Sequence, residues 1–221
     1  MTAVYLSFYP CETAKGTPEE EHRIGRRLLA RALLEQYHLT DFTCGTIPDD
    51  RIRTGQWGKP SLSSFPGIHF NITHCRGLVA CAVSDKPIGI DAENIRPFRD
   101  HLLPRVLTEE EQAQLALLGT TDRKRMEWFF RFWTLKESRM KHSGTGMSVP
   151  FTSFSFHFEQ EGTDFSITCS EPGLSFRQFS LKGMLPDTDY LLSICRPQTD
   201  AQQEIIFREF RESPPDTFSL L

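Results

Sequence analysis

The order of elements predicts an α+β chain, on three observations. A long helix is written between Asp122 and Gly144, where Met126, Phe129, Phe130, Trp133, Glu137, Met140, Lys141 and Gly144 share one stripe at helical spacing. Ahead of it, alternating and continuous apolar runs read as strands, the last being Ile88-Gly89-Ile90-Asp91-Ala92-Glu93. Behind it, short alternating segments parted by turn residues read as antiparallel strands.

The first strand is expected over Ala3 to Tyr9, closed by Pro10. Lys15-Gly16-Thr17 then lead to Pro18-Glu19-Glu20-Glu21, with proline suited to a helix's first turn and acids to its positive end. That helix runs to about Tyr37 and buries Ile24, Leu28, Ala32 and Leu33. Its Arg23, Arg26, Arg27 and Arg31 form either a solvated cationic face or an anion site, since guanidinium forks match phosphate geometry. Trp57-Gly58-Lys59-Pro60 is a turn that sets one lysine beside a glycine.

Ile68 to Ile72 alternates as a strand and ends in Thr73-His74-Cys75-Arg76-Gly77, a polar cluster at a strand's end where ligand contacts are common. Taken alone, His74 is more often a structural histidine. Gly77 to Ser84 is nearly all apolar, hence a strand buried on both faces, and Asp85-Lys86-Pro87 turns it into the next. In that next strand Ile88, Ile90 and Ala92 face one way, and Gly89, Asp91 and Glu93 the other. Two carboxylates so placed have Cα atoms roughly 6.5–7 Å apart and can share a hard cation, or simply decorate an exposed edge.

Arg96, Arg99 and Arg105 follow this strand, and Thr108-Glu109-Glu110-Glu111 is a capping box opening a helix to about Leu118. For the long helix the expected cap is Asp122 and the stop Gly144. Its opposite stripe is polar: Lys124, Glu127, Arg131, Thr134, Ser138 and His142. Glu137 and Lys141 therefore lie on the stripe expected to be buried. An i,i+4 Glu–Lys pair is ordinarily a solvated surface pair, but a carboxylate on a buried face needs a partner or a metal. The helix is expected to build a site, with Glu137 as third acid beside Asp91 and Glu93.

Strands are expected over Thr152 to Phe158, where Phe154, Phe156 and Phe158 alternate inward, then over Phe165 to Cys169, Leu174 to Leu181 and Tyr190 to Cys195. Gly162-Thr163 and Glu171-Pro172-Gly173 supply turns. The segment after Arg196 is polar but for Ile205, Ile206, Phe207 and Phe210, ends in Pro214-Pro215, and assigns itself no role.

Composition adds bounds. A chain of 221 residues makes one large domain or two small ones, and eighteen Phe against four Tyr favour a packed core over disorder. A net charge of −4 argues against bulk nucleic-acid binding. Cys11, Cys44, Cys75, Cys81, Cys169 and Cys195 form no CxxC pair, so no zinc site is expected and the thiols read as reduced. No run has membrane-spanning length and the N-terminus lacks a signal peptide's pattern, so a soluble cytoplasmic protein is expected.

Together Gly58-Lys59-Pro60, Phe70-Asn71-Ile72-Thr73-His74, Gly89-Ile90-Asp91-Ala92-Glu93 and Phe132-Trp133-Thr134-Leu135-Lys136-Glu137-Ser138-Arg139-Met140-Lys141-His142-Ser143-Gly144 resemble the 4′-phosphopantetheinyl transferases, in the larger, monomeric type that activates peptide synthetases and acyl carrier proteins. The resemblance implies transfer of 4′-phosphopantetheine from coenzyme A to a serine of an apo acyl or peptidyl carrier protein, releasing 3′,5′-ADP. It implies Mg²⁺, with Mn²⁺ as substitute, on Asp91, Glu93 and Glu137, with Glu137 also helping to deprotonate the serine. Lys141, Thr73, His74, Lys59 and Arg31 would contact the coenzyme's phosphates, and Lys141, which would stabilise charge as the bond breaks, and His74 would join Glu137 as catalytic residues. For the fold it implies two similar halves related by a pseudo-twofold with the site in the cleft between them: residues 1–98, residues 99–197 and a tail of 198–221.

The departures are Ala92, where isoleucine is frequent, and Thr73-His74-Cys75 in place of Ser-His-Ser. The N-terminus is short, leaving Lys15 or Arg23 to hold the 3′-phosphate. The alternatives are a catalytically impaired coenzyme A-binding relative and a metal-dependent nucleotide phosphohydrolase.

Overall fold

The computed structural model describes residues 1–9, 17–42, 45–161, 164–182 and 188–210. Pro10, Cys11, Lys15, Cys44, the Gly162-Thr163 turn and Pro214-Pro215 lie outside the described residues. The architecture is α+β, as expected.

Strands β1 (Thr2–Phe8), β4 (His69–Cys75), β5 (Leu78–Ser84) and β11 (Ile205–Glu209) form one sheet in the order β11-β1-β5-β4. A second sheet, β6-β10-β9, combines β6 (Gly89–Asn94), β9 (Leu174–Lys182) and β10 (Asp189–Pro197). Two small ribbons pair β2 (Ile52–Thr54) with β3 (Pro60–Leu62), and β7 (Phe156–Glu161) with β8 (Asp164–Cys169). Helices α1 (Pro18–Tyr37), α2 (Leu103–Val106), α3 (Glu109–Leu118) and α4 (Asp122–Ser143) complete the elements.

The period-two alternation of the strands makes layers of these parts. Odd-numbered residues of β5 (Val79, Cys81, Val83) meet Ile24, Leu28, Leu29 and Leu33 of α1. Its even-numbered Leu78, Ala80 and Ala82 meet Ile88, Ile90 and Ala92 next to and within β6, with Leu192 and Ile194 of β10. The far face of the second sheet carries Leu191 and Cys195, packed with Phe129, Phe132 and Leu135 of α4 and with Phe154, Phe156 and Phe158. The order is helix, sheet, sheet, helix, and Asp91 and Glu93 of β6 fall on the face under α4.

Close approach of α4 to β6 rests on Gly89. A Cβ there would stand 1.9 Å from the Ser138 carbonyl oxygen and 2.4 Å from the His142 nitrogen. The same approach explains a difference from the sequence expectation. Thr134 and Ser138, on the stripe expected to be wet, are fully buried against the second sheet. They are small enough for tight packing, and their hydroxyls are satisfied locally: Thr134 Oγ1 bonds the Phe130 carbonyl (2.9 Å) and meets Ser193 Oγ (2.8 Å), and Ser138 Oγ donates to the Leu135 carbonyl (2.8 Å).

Three further expectations shift. The cap of α4 is Thr121, whose extended backbone lets its Oγ1 accept from Lys124 N (3.3 Å), while Asp122 becomes the first helical residue. The strand expected from Thr152 starts at Phe156, after a 3₁₀ turn over Phe151–Ser153. The cause is Lys136, fully buried, whose Nζ gathers the carbonyls of Phe151 (2.7 Å) and Phe154 (2.8 Å) and the Glu111 carboxylate (2.8 Å). Lastly, the segment after Arg196 supplies β11, which pairs in parallel with β1 from Thr2↔Ile205 to Leu6↔Glu209. The capping box at Thr108, the Gly144 stop and the predicted inward faces of α1 and β6 stand as expected.

Among the described residues, Cys75, Cys81 and Cys195 are buried free thiols and Cys169 a half-buried one, and no helix is long and apolar enough to cross a membrane.

Candidate active site

The ends of β4, β6 and α4 converge on Asp91. Its Oδ1 accepts from Lys141 Nζ (2.6 Å) and from Thr73 Oγ1 (3.0 Å), and Lys141 Nζ also reaches Thr73 Oγ1 (3.2 Å). Asp91 is 5% exposed, yet its Oδ2 has no hydrogen-bond partner among the described residues. That is costly for a carboxylate oxygen taken out of water. Thr73 does double duty, since its Oγ1 also accepts from Ala92 N (3.3 Å), as Asn71 Oδ1 accepts from Ile90 N (2.8 Å). Side chains of β4 thus do for β6 what a neighbouring strand's backbone would do.

Glu93, two residues on and on the same face, is held by Arg96 Nη1 (2.6 Å), whose guanidinium also lies 4.6 Å over the Phe130 ring. Glu137 enters from α4. Burial and then the Asp91 charge raise its carboxyl above the ordinary range, against Lys141. Burial likewise raises Glu93, with Arg96 opposing and Asp91 adding. Burial pulls the Lys141 ammonium down, but Asp91, Glu137 and Glu93 outweigh it and the net shift is upward. The three acids and Lys141 therefore share one field. Among the described residues, no three His, Cys, Asp or Glu side chains are already gathered into a metal cage. Asp91 is turned to Lys141 and Glu93 to Arg96.

A cavity of about 250 Å³ opens on Glu137 and Lys141, walled by Trp57, Lys59, Asn71, Met140, Gly144, Gly146 and Phe151. Lys59 reaches it from the turn before β3. Its Nζ donates to the carbonyls of His142 (2.6 Å) and Ile88 (3.1 Å), and burial lowers its ammonium to about 8. It thereby also ties down the end of α4, where Gly144 adopts φ 69° against the lysine's stem.

The structure brings Thr73, Asp91, Glu93, Glu137, Lys141 and Lys59 to this neighbourhood. His74 points to the opposite face of β4, as strand alternation requires, into a second cavity of about 490 Å³ lined also by Glu21, His22 and Arg26 of α1. Arg31 reaches neither cavity; it is exposed and paired with Glu35. Arg23 is exposed too, and the α1 arginine that lines the cavity is Arg26. The sequence named Arg26 only as one of four arginines of a possible anion site, and gave Glu21 and Asn71 no site role. Asn71 lay within a quoted motif, and period two placed it beside Thr73, whereas Arg26 could not be told from its neighbours without knowing the cavity. Arg96 and Arg99 border a shallow groove of about 230 Å³ with Phe98, Phe130 and Trp133.

Comparisons with known proteins bear on the chain's family. A model of the 4′-phosphopantetheinyl transferase superfamily matches residues 87–195, a span that includes β6 and α4. The 4′-phosphopantetheinyl transferase Sfp of Bacillus subtilis (strain 168) is 30% identical over 196 residues, covering 88% of this chain and 82% of Sfp. The 4′-phosphopantetheinyl transferase gsp of Aneurinibacillus migulanus is 34% identical over 131 residues, covering 58% of this chain and 52% of gsp. The L-aminoadipate-semialdehyde dehydrogenase-phosphopantetheinyl transferase of Xenopus laevis is 32% identical over 164 residues, covering 63% and 53%. With a match to Sfp across most of both chains and the acids of β6 and α4 drawn together, the chain belongs to the 4′-phosphopantetheinyl transferase superfamily and is a transferase of that family.

Proposed function

We propose that the enzyme transfers 4′-phosphopantetheine from coenzyme A to a serine of an apo acyl or peptidyl carrier protein, releasing 3′,5′-ADP, with Asp91, Glu93 and Glu137 holding Mg²⁺ or Mn²⁺. The observation that carries this reading is Asp91 Oδ2, a buried carboxylate oxygen without a hydrogen-bond partner among the described residues, beside two further acids. The donor set fits the ion, being all hard oxygen. When bound, the ion neutralises charge on the coenzyme's pyrophosphate.

The chain's own residues do the rest. The serine oxygen bonds to the β-phosphorus of coenzyme A as the bond to the bridging oxygen breaks, and that oxygen leaves on 3′,5′-ADP with the electron pair. Glu137, raised by burial and by Asp91, is suited to take the serine proton. Lys141 stands within reach of a phosphate bound beside Asp91 and offers charge to the leaving group. Thr73 orients Asp91 and Lys141 through its hydroxyl. Lys59 and His74 would meet the coenzyme from the two cavities. Arg31, paired with Glu35, would have to release that partner to do so.

In the same reading residues 1–98 and 99–197 are two halves related by a pseudo-twofold, with 198–221 as tail, and pairing of β6 with β10 binds the halves at the site strand. A monomer acting in the cytoplasm without nucleic-acid or membrane partners belongs to it as well. Incubation with coenzyme A, Mg²⁺ and an apo carrier protein, read by intact mass, tests the whole. Phosphopantetheine on the carrier supports the transfer. Free hydrolysis products without transfer point to a nucleotide phosphohydrolase, and coenzyme binding without turnover to an impaired relative.

A further inference from the structure

Thr73 and His74 are sequence neighbours with different company. While Thr73 serves Asp91, His74 stands on the other face of β4 with its Nδ1 3.0 Å from Glu21 Oε2. Glu21 is only 6% exposed, in the first turn of α1. A carboxylate buried so needs specific partners. One is Tyr9, 4% exposed, whose hydroxyl donates to Glu21 Oε1 at 2.7 Å. Another is the positive end of the α1 dipole. The remaining oxygen is spent on His74. The end of β1, the start of α1 and the end of β4 therefore meet at one carboxylate.

This contact has a consequence for the ring. The two imidazole nitrogens diverge, so a carboxylate that holds the Nδ1 proton turns Nε2 away from the protein. The side chain of His74 is 56% exposed at the rim of the cavity it shares with His22 and Arg26. Arg26 spends Nη2 on Asp49 (2.9 Å) and Nε on His22 Nε2 (3.3 Å), while its Nη1 is buried without a hydrogen-bond partner among the described residues. An unspent guanidinium donor and an outward imidazole nitrogen on one cavity wall suit a phosphate ester.

We infer that Glu21 is a positioning residue, which fixes the His74 imidazole so that Nε2 meets a phosphate of the coenzyme. This rests on the reading of His74 as a coenzyme contact. With phosphate bound, Nδ1 stays directed to Glu21 and Nε2 to the ligand, and Tyr9 keeps Glu21 from turning to the ligand's side.

A double-mutant cycle on the full chain tests it, with coenzyme A as the varied substrate. His74→Ala should raise the KM for coenzyme A by roughly tenfold with kcat at saturation within about twofold. Glu21→Gln should do the same in the parent and add nothing further in the His74→Ala background. If Glu21→Gln costs as much with His74 absent as with it present, Glu21 is merely structural and the inference falls while the His74 assignment stands. If His74→Ala leaves the KM unmoved, His74 does not contact the coenzyme and both fall. Should Glu21→Gln not fold, Tyr9→Phe takes its place in the cycle. It should raise the KM by about threefold in the parent alone, and an equal rise in both backgrounds would overturn the inference.

Discussion

In the proposed reading Glu137 concentrates the chemistry on one side chain. Its carboxyl is raised by burial and by Asp91, which makes it a stronger base and leaves it in want of a cation. Glu137→Gln keeps the volume and removes the charge, so kcat/KM should fall on the order of 10²-fold or more while thermal stability stays near the parent's. Activity within a few-fold of the parent would return Glu137 to an ordinary helix pair with Lys141. His142 makes a separate prediction, on stability. Burial, then Lys59, Arg139 and His69, lower its imidazole from 6.5 to about 4. Below the ordinary value the unfolded chain binds a proton that the folded chain refuses, so stability is lost as pH falls from about 6.5 to about 4. Between pH 7 and pH 5 this amounts to about 2 kcal/mol. Urea unfolding of His142→Gln should show a correspondingly smaller drop over that interval; an equal drop would place the acid sensitivity elsewhere.

At the scale of elements, α4 works because it lies almost in contact with β6. Gly89→Ala would thrust a methyl into the backbone of Ser138 and His142, and it should lower unfolding free energy by about 3 kcal/mol, seen as an earlier denaturant midpoint. A change below about 0.5 kcal/mol would mean that the helix is free to ride outward. What the sequence disclosed about these elements divides along the same line. Local chemistry was legible: the capping box at Thr108, Gly144 as helix stop, and the alternation that sets Asp91 and Glu93 on one face of β6. Contacts between elements were not. Thr134 and Ser138 read as wet because a small polar residue on a surface and one at a close crossing are written alike. Lys136 read as one residue of a motif, and only the fold reveals that it draws two carbonyls into a turn. Strand alternation parts Thr73 from His74, so two neighbours in one motif meet Asp91 and Glu21 on opposite faces of β4.

For the whole molecule, two sheets press together around a shared core, and elements about 200 residues apart are joined by the parallel pairing of β1 with β11, from Thr2↔Ile205 to Leu6↔Glu209. A pairing so distant in sequence has no local signature, which is why Ile205, Ile206 and Phe207 showed only as an apolar patch. The net charge of −4 bears on partners. Carrier proteins in this reading are acidic beside their serine, so approach has to rely on local cations and apolar surface. The exposed Arg99 lies on the groove of Phe98, Phe130 and Trp133, and exposed Arg105 follows it in the chain. Reversing Arg99 and Arg105 to Glu should raise the KM for carrier several-fold, with weaker salt dependence and an unchanged KM for coenzyme A. A rise in the coenzyme KM instead would assign these arginines to the nucleotide.

The central claim is that Asp91, Glu93 and Glu137 together would hold a divalent ion, Asp91 and Glu93 being paired here with Lys141 and Arg96. The most direct measurement is the transfer rate as a function of Mg²⁺ concentration for the parent and for Asp91→Asn, each at saturating coenzyme A and carrier. The account predicts that Asp91→Asn loses on the order of 10²-fold at low Mg²⁺ and recovers part of it as Mg²⁺ is raised, with its half-saturation point displaced at least about tenfold upward. A variant whose rate and Mg²⁺ dependence both match the parent's would contradict it, and would leave Asp91 as no more than the anchor of Lys141.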